Sequence, residues 1–118
     1  MTSKTSLEEK EKNYIERIND FKYTIQHLEN MQKERMEQRR ALEDQSFYMR
    51  VNSPDFSVNY FKTSLKVGAL SYEIKELETI IQSQNRQLQK EYEYYYRVQE
   101  EKKLMLPPAI GADALTEQ

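Results

Sequence analysis

Apolar side chains recur at alternating steps of three and four residues along two long stretches of the chain. A spacing near 3.5 residues is typical of helices that bury one stripe of side chains against another helix. We call this stripe the seam of each helix. The pattern is continuous from Val67 to Ile81, whereas polar residues interrupt it between Leu28 and Leu42. The apolar seam positions are Leu7, Tyr14, Ile18, Phe21, Ile25, Leu28, Leu42 and Met49, and then Phe56, Tyr60, Val67, Leu70, Ile74, Leu77, Ile81, Leu88, Tyr95, Val98 and Met105.

Local signals indicate where the two helices begin and end. Thr5 and Ser6 are each followed three residues later by a glutamate, which fits a capping box. No proline or glycine interrupts residues 7–53, while Pro107 and Gly111 are expected to end the second helix. The predicted bounds are about 6–50 for helix one, about 54–105 for helix two, 1–106 for the whole helical hairpin and 107–118 for a flexible tail.

The segment 47–60 between the helices fits two structures. Ser53 could cap helix two, with Pro54 at its first position, which predicts a direct helix–turn–helix. The same segment also alternates apolar and other residues on both sides of the Ser-Pro-Asp turn, as a small β-hairpin would. The sequence does not distinguish between these two structures.

Because the two helices have nearly equal lengths, we expect an all-α fold in which they pair as an antiparallel coiled-coil hairpin. A two-helix hairpin buries only one stripe per helix, so further protein partners are expected. Folding at residues 53–54 places Ile25 near Ile81, Leu28 near Leu77 and Ile18 near Leu88.

The same folding creates a mismatch in the middle of helix one. Gln32, Arg35 and Arg39 would face the most apolar part of helix two, and an unpaired guanidinium is costly to bury there. One interpretation is that the arginine stems cover the apolar stripe while their charged ends reach water or glutamates 73 and 76. The other is that this part of helix two binds another chain through Leu65, Val67, Leu70 and Ile74.

A cluster of tyrosines near the end of helix two is the second candidate binding surface. Tyr95 falls on the seam and Tyr92 lies beside it, whereas Tyr94 and Tyr96 point elsewhere on the helix. Amphipathic tyrosine rings suit a protein interface, so Tyr92, Tyr94 and Tyr96 are candidate partner-binding residues. The alternative is that they pack on helix one near residues 7–14.

Composition excludes several classes of function. The chain has 118 residues with no cysteine, one histidine and two glycines, which argues against catalytic, cofactor-binding and metal sites, and we expect no enzyme and no small-molecule substrate. Residues 1–50 contain ten basic and ten acidic side chains, and residues 51–106 contain eight of each. Such balanced helices predict neither nucleic-acid binding nor a polybasic membrane anchor. Without a signal peptide or an apolar span, we expect a cytoplasmic protein that does not insert into membranes.

The length and the possible central β-hairpin resemble β-type prefoldin subunits, although Val67-Gly68 comes too late to form the strand that such subunits have. The helical hairpin is also similar in architecture to stalk proteins of flagellar and type III export systems, and to coiled-coil subunits of tethering and kinetochore complexes. From the sequence we expect a non-enzymatic coiled-coil interaction protein, acting as a small subunit, adaptor or chaperone in a larger assembly. Its partners are expected to be helical proteins in a hetero- or homo-oligomer. A prefoldin-like or export-associated chaperone or stalk protein that binds client chains is the alternative, and strands within 47–60 would favour the prefoldin type.

Overall fold

The computed structural model describes residues 4–52 and 56–105, and the side chains at 5–48 and 58–105 among them. The first stretch is helix α1, Lys4–Asn52, and the second contains helix α2, Phe56–Leu104, followed by a turn at Met105. The amide of Met105 donates to the carbonyls of Glu101 and Lys102, each at 3.2 Å, which closes the last turn. The described chain is therefore all-α, with two long helices, as the periodicity predicts.

The β-hairpin alternative for 47–60 is wrong wherever this segment is described. Residues 47–52 continue α1 and residues 56–60 begin α2. The physical reason is that extending an existing helix gains one hydrogen bond per residue fixed, whereas an isolated two-stranded hairpin is marginal in water. The proposed cap at Ser53, the position of Pro54 and the expected tail at 107–118 lie outside the described residues.

The chain divides into two compact units. One comprises the described residues within 1–22 and 86–118, and the other comprises residues of 23–85. Within each unit, residues that come later in α1 contact residues that come earlier in α2. The two helices of each unit are therefore antiparallel, as expected for a hairpin.

The core of each unit consists of seam residues. Leu7, Ile18 and Val98 are buried in the first unit, and Leu77 and Ile81 are buried in the second. Every other described seam position up to residue 102 is buried or half-buried, so the predicted seam is confirmed, whereas the terminal Met105 is exposed. The remaining buried side chains of the second unit are Ile25 and Thr63.

The pairing of α1 with α2 in the second unit agrees with the expected folding at Gln32, whose amide donates to the carbonyl of Ile74 at 3.3 Å. Arg39 donates to the Ser71 hydroxyl at 3.3 Å, and the Arg35 Nε donates to the Glu73 carboxylate at 2.8 Å. Both partners lie three or four residues beyond the apolar residues expected to face these arginines. Polar groups of α2 therefore meet the polar stretch of α1, and the guanidinium of Arg35 reaches Glu73 as the first interpretation expects.

Candidate protein-interaction surfaces

The residues predicted to form one apolar binding surface occupy two different faces of α2. Val67, Leu70 and Ile74 are half-buried on the seam that faces α1, whereas Leu65 is exposed. At about 100° per residue, Leu65 lies about 160° away from Val67 around the helix axis. The four side chains therefore do not form a single free surface.

Leu65 instead belongs to a second apolar stripe, which the sequence analysis did not identify. Val58, Phe61, Leu65 and Tyr72 all lie on the face of α2 opposite its seam, and they are between 59% and 67% exposed. We call these four residues the outer stripe. Their spacing of three, four and seven residues repeats the helical period, so the signal was present in the sequence. It was overlooked because the stronger seam of the same helix accounts for the periodicity on its own.

The outer stripe contains a gap between Leu65 and Tyr72. Gly68 and Ala69 occupy this turn of the helix, and a Cβ atom built on Gly68 would have no neighbouring atom within 4 Å. No charged side chain lies on this face between residues 58 and 72 at the angles of the stripe. The surface is thus an apolar ridge with an open notch.

Side chains of both charges lie close to the outer stripe. Lys62 and Glu76, fourteen residues apart, share one edge of the stripe, whereas Lys75 continues the line of Phe61 and Lys66 lies nearer the seam, and all four are exposed. Helix α2 has no acidic residue between positions 58 and 72. Within the described part of the chain, none of these three ammonium groups forms an ion pair. The borders of the apolar stripe therefore carry charges of both signs, with the lysines ahead of the glutamates along α2.

The predicted tyrosine surface lies in the other unit and is partly used by the hairpin itself. The ring of Tyr94 lies 6.0 Å from that of Tyr14 on α1, and the ammonium of Lys22 lies 5.6 Å from the ring centre of Tyr92. Tyr96 stacks on Tyr92 with ring centres 6.2 Å apart, and 59% of its surface is exposed. Tyr96 is therefore the most accessible of the three candidates, and Tyr92 is half-buried.

Polar residues on the seams of the first unit, Glu11, Glu91 and Lys102, have polar partners on the opposite helix. Glu11 accepts hydrogen bonds from the Gln99 amide and, at 2.8 Å, from the Lys102 ammonium. The Nε of Arg17 donates to Glu91 at 2.8 Å. These bonds raise the pKa of Lys102 and of Arg17, because each cation is held beside a carboxylate. The contacts fix the pairing of the two helices and have no evident chemical role.

Among the described residues, no group of three or more His, Cys, Asp or Glu side chains is placed to hold a metal ion. Neither helix, over the same residues, has a segment long and apolar enough to cross a membrane. Comparisons of the chain with protein-family models, with curated proteins and with solved structures found no match. The surfaces of the two helices therefore carry the functional proposal.

Proposed function

We propose that this protein is a non-enzymatic coiled-coil interaction protein that serves as a small subunit or adaptor in a larger protein assembly. The outer stripe of α2 is the observation that carries this proposal. Its four large side chains follow one another along a single helix face, with no charged residue among them. Such a face is suited to pack on a helix of another chain.

The energetics support a binding role for this face. Single exposed apolar side chains are normal on protein surfaces, but a contiguous row of them is typical of interaction sites. Fully burying a side chain the size of valine, leucine or phenylalanine gains about 1.5–3 kcal/mol. A partner helix that covers most of the outer stripe would therefore gain several such contributions, less the cost of losing its own freedom of motion.

A prefoldin-type chaperone is not favoured by any described feature. The strands that would distinguish such a subunit were expected within 47–60, and the described residues of this segment are helical. The exposed stripe suits a subunit or adaptor as well as an export-associated stalk protein, since all of these act through helix packing. We keep the cytoplasm as the proposed location, and the cysteine-free chain is compatible with that compartment.

Site-specific photo-crosslinking in the native cell tests the proposal. A photoreactive amino acid replaces Leu65 in one variant and Tyr23, which is 77% exposed on α1, in a matched control. We expect the Leu65 position to crosslink reproducibly to one defined protein, identified by mass spectrometry, and the Tyr23 position not to do so. If neither position yields a specific crosslink, the proposal that the outer stripe serves protein assembly is refuted.

A further inference from the structure

We propose that two copies of this chain pair through their outer stripes, with their α2 helices antiparallel about a two-fold axis midway between Leu65 and Gly68. This inference rests on the proposed function and names the partner of the stripe. Three features of the stripe carry it, namely the spacing of its positions, the notch at Gly68 and the order of charges along one edge. Each of them is complementary to itself under this axis, as a contact between identical surfaces requires.

The spacing of positions on this face reads the same in both directions. Steps of three, four, three, four and three residues separate six positions, which are Val58, Phe61, Leu65, Gly68, Tyr72 and Lys75. In an antiparallel helix pair, residues at equal distances from a two-fold axis face each other. An axis midway between Leu65 and Gly68 therefore sets each of these positions opposite another, and the stem of Lys75 covers Val58 of the other copy.

The notch of one copy receives a side chain of the other. Leu65 of one copy lies opposite Gly68 of the other, where an added Cβ atom would have no neighbouring atom within 4 Å. This is the knob-into-hole contact of helix packing, and it occurs twice under the two-fold axis. Phe61 lies opposite Tyr72, so aromatic rings pack on each other at either end of the two notches.

The charges on one edge of the stripe also match. Lys62 and Glu76 share this edge, and antiparallel packing sets it beside the same edge of the other copy. The offset along the helix axes is then about 7.5 Å between Lys62 and the other copy's Glu76, against about 13.5 Å between the two copies of Lys62. Because a helical side chain leans towards the N-terminus of its own helix, the opposite charges lean towards each other and the two lysines lean apart.

Other arrangements of two copies fit less well. Parallel packing sets Gly68 opposite Gly68 and Lys75 opposite Lys75, which leaves one layer empty and brings like charges together. Sliding the antiparallel pair by one heptad in one direction sets Lys75 opposite Leu65. Sliding it in the other direction sets the two copies of Lys62 side by side and leaves Tyr72 beyond the end of the stripe. The axis between Leu65 and Gly68 avoids all of these mismatches.

Analytical ultracentrifugation of the 118-residue chain tests the pairing. Because the contact is short, we expect a reversible equilibrium of monomer and dimer with a micromolar Kd. Leu65→Glu is expected to weaken the dimer by about tenfold or more, while circular dichroism shows that both helices are kept. Tyr23→Glu, the matched control at an exposed position of α1, is expected to dimerise as the wild type does. A wild type that is monomeric up to about 1 mM, or equal losses in both variants, overturns the inference.

Moving the knob tests the alignment of the two copies. Gly68→Leu fills the notch and is expected to weaken the dimer by about tenfold or more, because the new side chain collides with Leu65 of the other copy. Leu65→Ala removes the knob and is also expected to weaken it. The combined variant exchanges knob and hole under the same axis, so it is expected to dimerise more tightly than either single variant. Unchanged dimerisation of Gly68→Leu, or no recovery in the combined variant, overturns the inference.

Disulfide formation reports the direction of the two helices, because the chain itself has no cysteine. Phe61→Cys and Tyr72→Cys chains are mixed in a glutathione redox buffer, and intact-mass spectrometry distinguishes the possible disulfide-linked dimers. We expect the mixed disulfide, since the two positions face each other, whereas two identical cysteines are offset by about 16–17 Å along the helix axes. Thr79→Cys replaces Tyr72→Cys in the matched control and is expected not to react. Disulfides between identical positions, or between positions 61 and 79, overturn the inference.

The photo-crosslinking experiment separates this inference from the proposed function. An adduct of two copies of this chain through Leu65 supports both. If Leu65 crosslinks to a different protein and the isolated chain is monomeric, the pairing of two copies is overturned while the proposed function stands. If the isolated chain is monomeric and binds phosphatidylserine vesicles, with loss of binding in Leu65→Glu, the pairing is overturned in favour of a membrane surface.

Discussion

At the scale of single residues, Tyr72 and Glu76 form a contact that can be measured directly. They lie one turn apart on α2, and the hydrogen bond from the tyrosine hydroxyl to the glutamate raises the pKa of Tyr72 above its ordinary value. Ionising the phenol would remove the donated proton and place two negative charges side by side. The stability from this contact is therefore fully present below about pH 10 and is lost as the pH rises through the raised pKa.

We predict that Glu76→Gln lowers the pKa of Tyr72 towards about 10. The measurement is an NMR titration of the Tyr72 ring signals, assigned by comparison with Tyr72→Phe. Glu78→Gln is the matched control, because Glu78 accepts hydrogen bonds from Gln32 and Gln82 instead. An unchanged pKa of Tyr72 in Glu76→Gln would show that the hydrogen bond is not formed in solution.

Polar residues on the seams are the part of the residue pattern that the sequence left unexplained. Glu11, Glu91 and Lys102 interrupt otherwise apolar positions, and the sequence offers no partner for any of them. The structure places Glu11 beside Lys102, and Arg17 beside Glu91. Which of these residues meet depends on the alignment of two helices, so the pattern within one helix could not reveal it.

At the scale of the helix, two large aliphatic residues three positions apart on α2 differ in how far they are buried. Leu77 is on the seam and 8% exposed, whereas Ile80 lies off the seam and is 43% exposed. We predict that Leu77→Ala lowers the free energy of unfolding by about 2–4 kcal/mol, since it leaves a cavity against α1. Ile80→Ala, the matched control, is expected to lower it by less than about 1 kcal/mol. Urea denaturation measures both, and equal losses would contradict the observed seam.

The pairing of α1 with α2 makes a separate prediction. Arg35 contacts Glu73 at 2.8 Å, with side chains 28% and 50% exposed. Such a partly exposed pair is expected to show a coupling free energy of roughly 0.2–1 kcal/mol in a double-mutant cycle. Each single charge reversal, Arg35→Glu or Glu73→Arg, should destabilise the protein, and the combined swap should recover part of the loss.

The control cycle combines Glu73→Arg with Arg40→Glu. Arg40 is exposed on α1, the helix that also carries Arg35. No coupling is expected there, because Arg40 does not contact Glu73 in the structure. Coupling of the same size in both cycles would mean that the alignment of the helices differs from the one described.

The sequence predicted the elements well. Both helices, their approximate ends and nearly every seam position follow from the spacing of apolar residues, because a helical face is defined by residues three and four apart. The β-hairpin alternative arose because a short alternating run such as 47–51 fits either period. The outer stripe was missed for a different reason. Its repeat lies on the same helix as the seam, whose repeat of apolar residues is more complete.

At the scale of the whole molecule, charge balance is the relevant property. The chain has 18 basic and 20 acidic residues, and these are balanced over residues 1–50 and again over residues 51–106. The charges near the outer stripe of α2 are also of both signs, because Lys62 and Glu76 share one of its edges. Such mixed charges do not favour attraction of a polyanion.

We predict that the 118-residue chain passes through a heparin column without retention at neutral pH and about 0.15 M salt. The reason is that nucleic-acid and heparin binding require many cations on one surface, whereas the basic residues of this chain are balanced by acidic ones over both helices. Filter binding to double-stranded DNA at the same salt is expected to be negative as well. Retention with a steep salt dependence would instead favour nucleic-acid binding over the proposed function.

The sequence by itself determined the fold class, the two helices and the side of each helix that is buried. Only the tertiary structure decided the alignment of α1 with α2, the pairing of the seam polar residues and the exposure of the outer stripe. The physical reason is that sliding one helix by a turn keeps the same seam facing inward, so periodicity does not distinguish one alignment from the next. The choice depends on contacts between helices, such as Arg35 with Glu73.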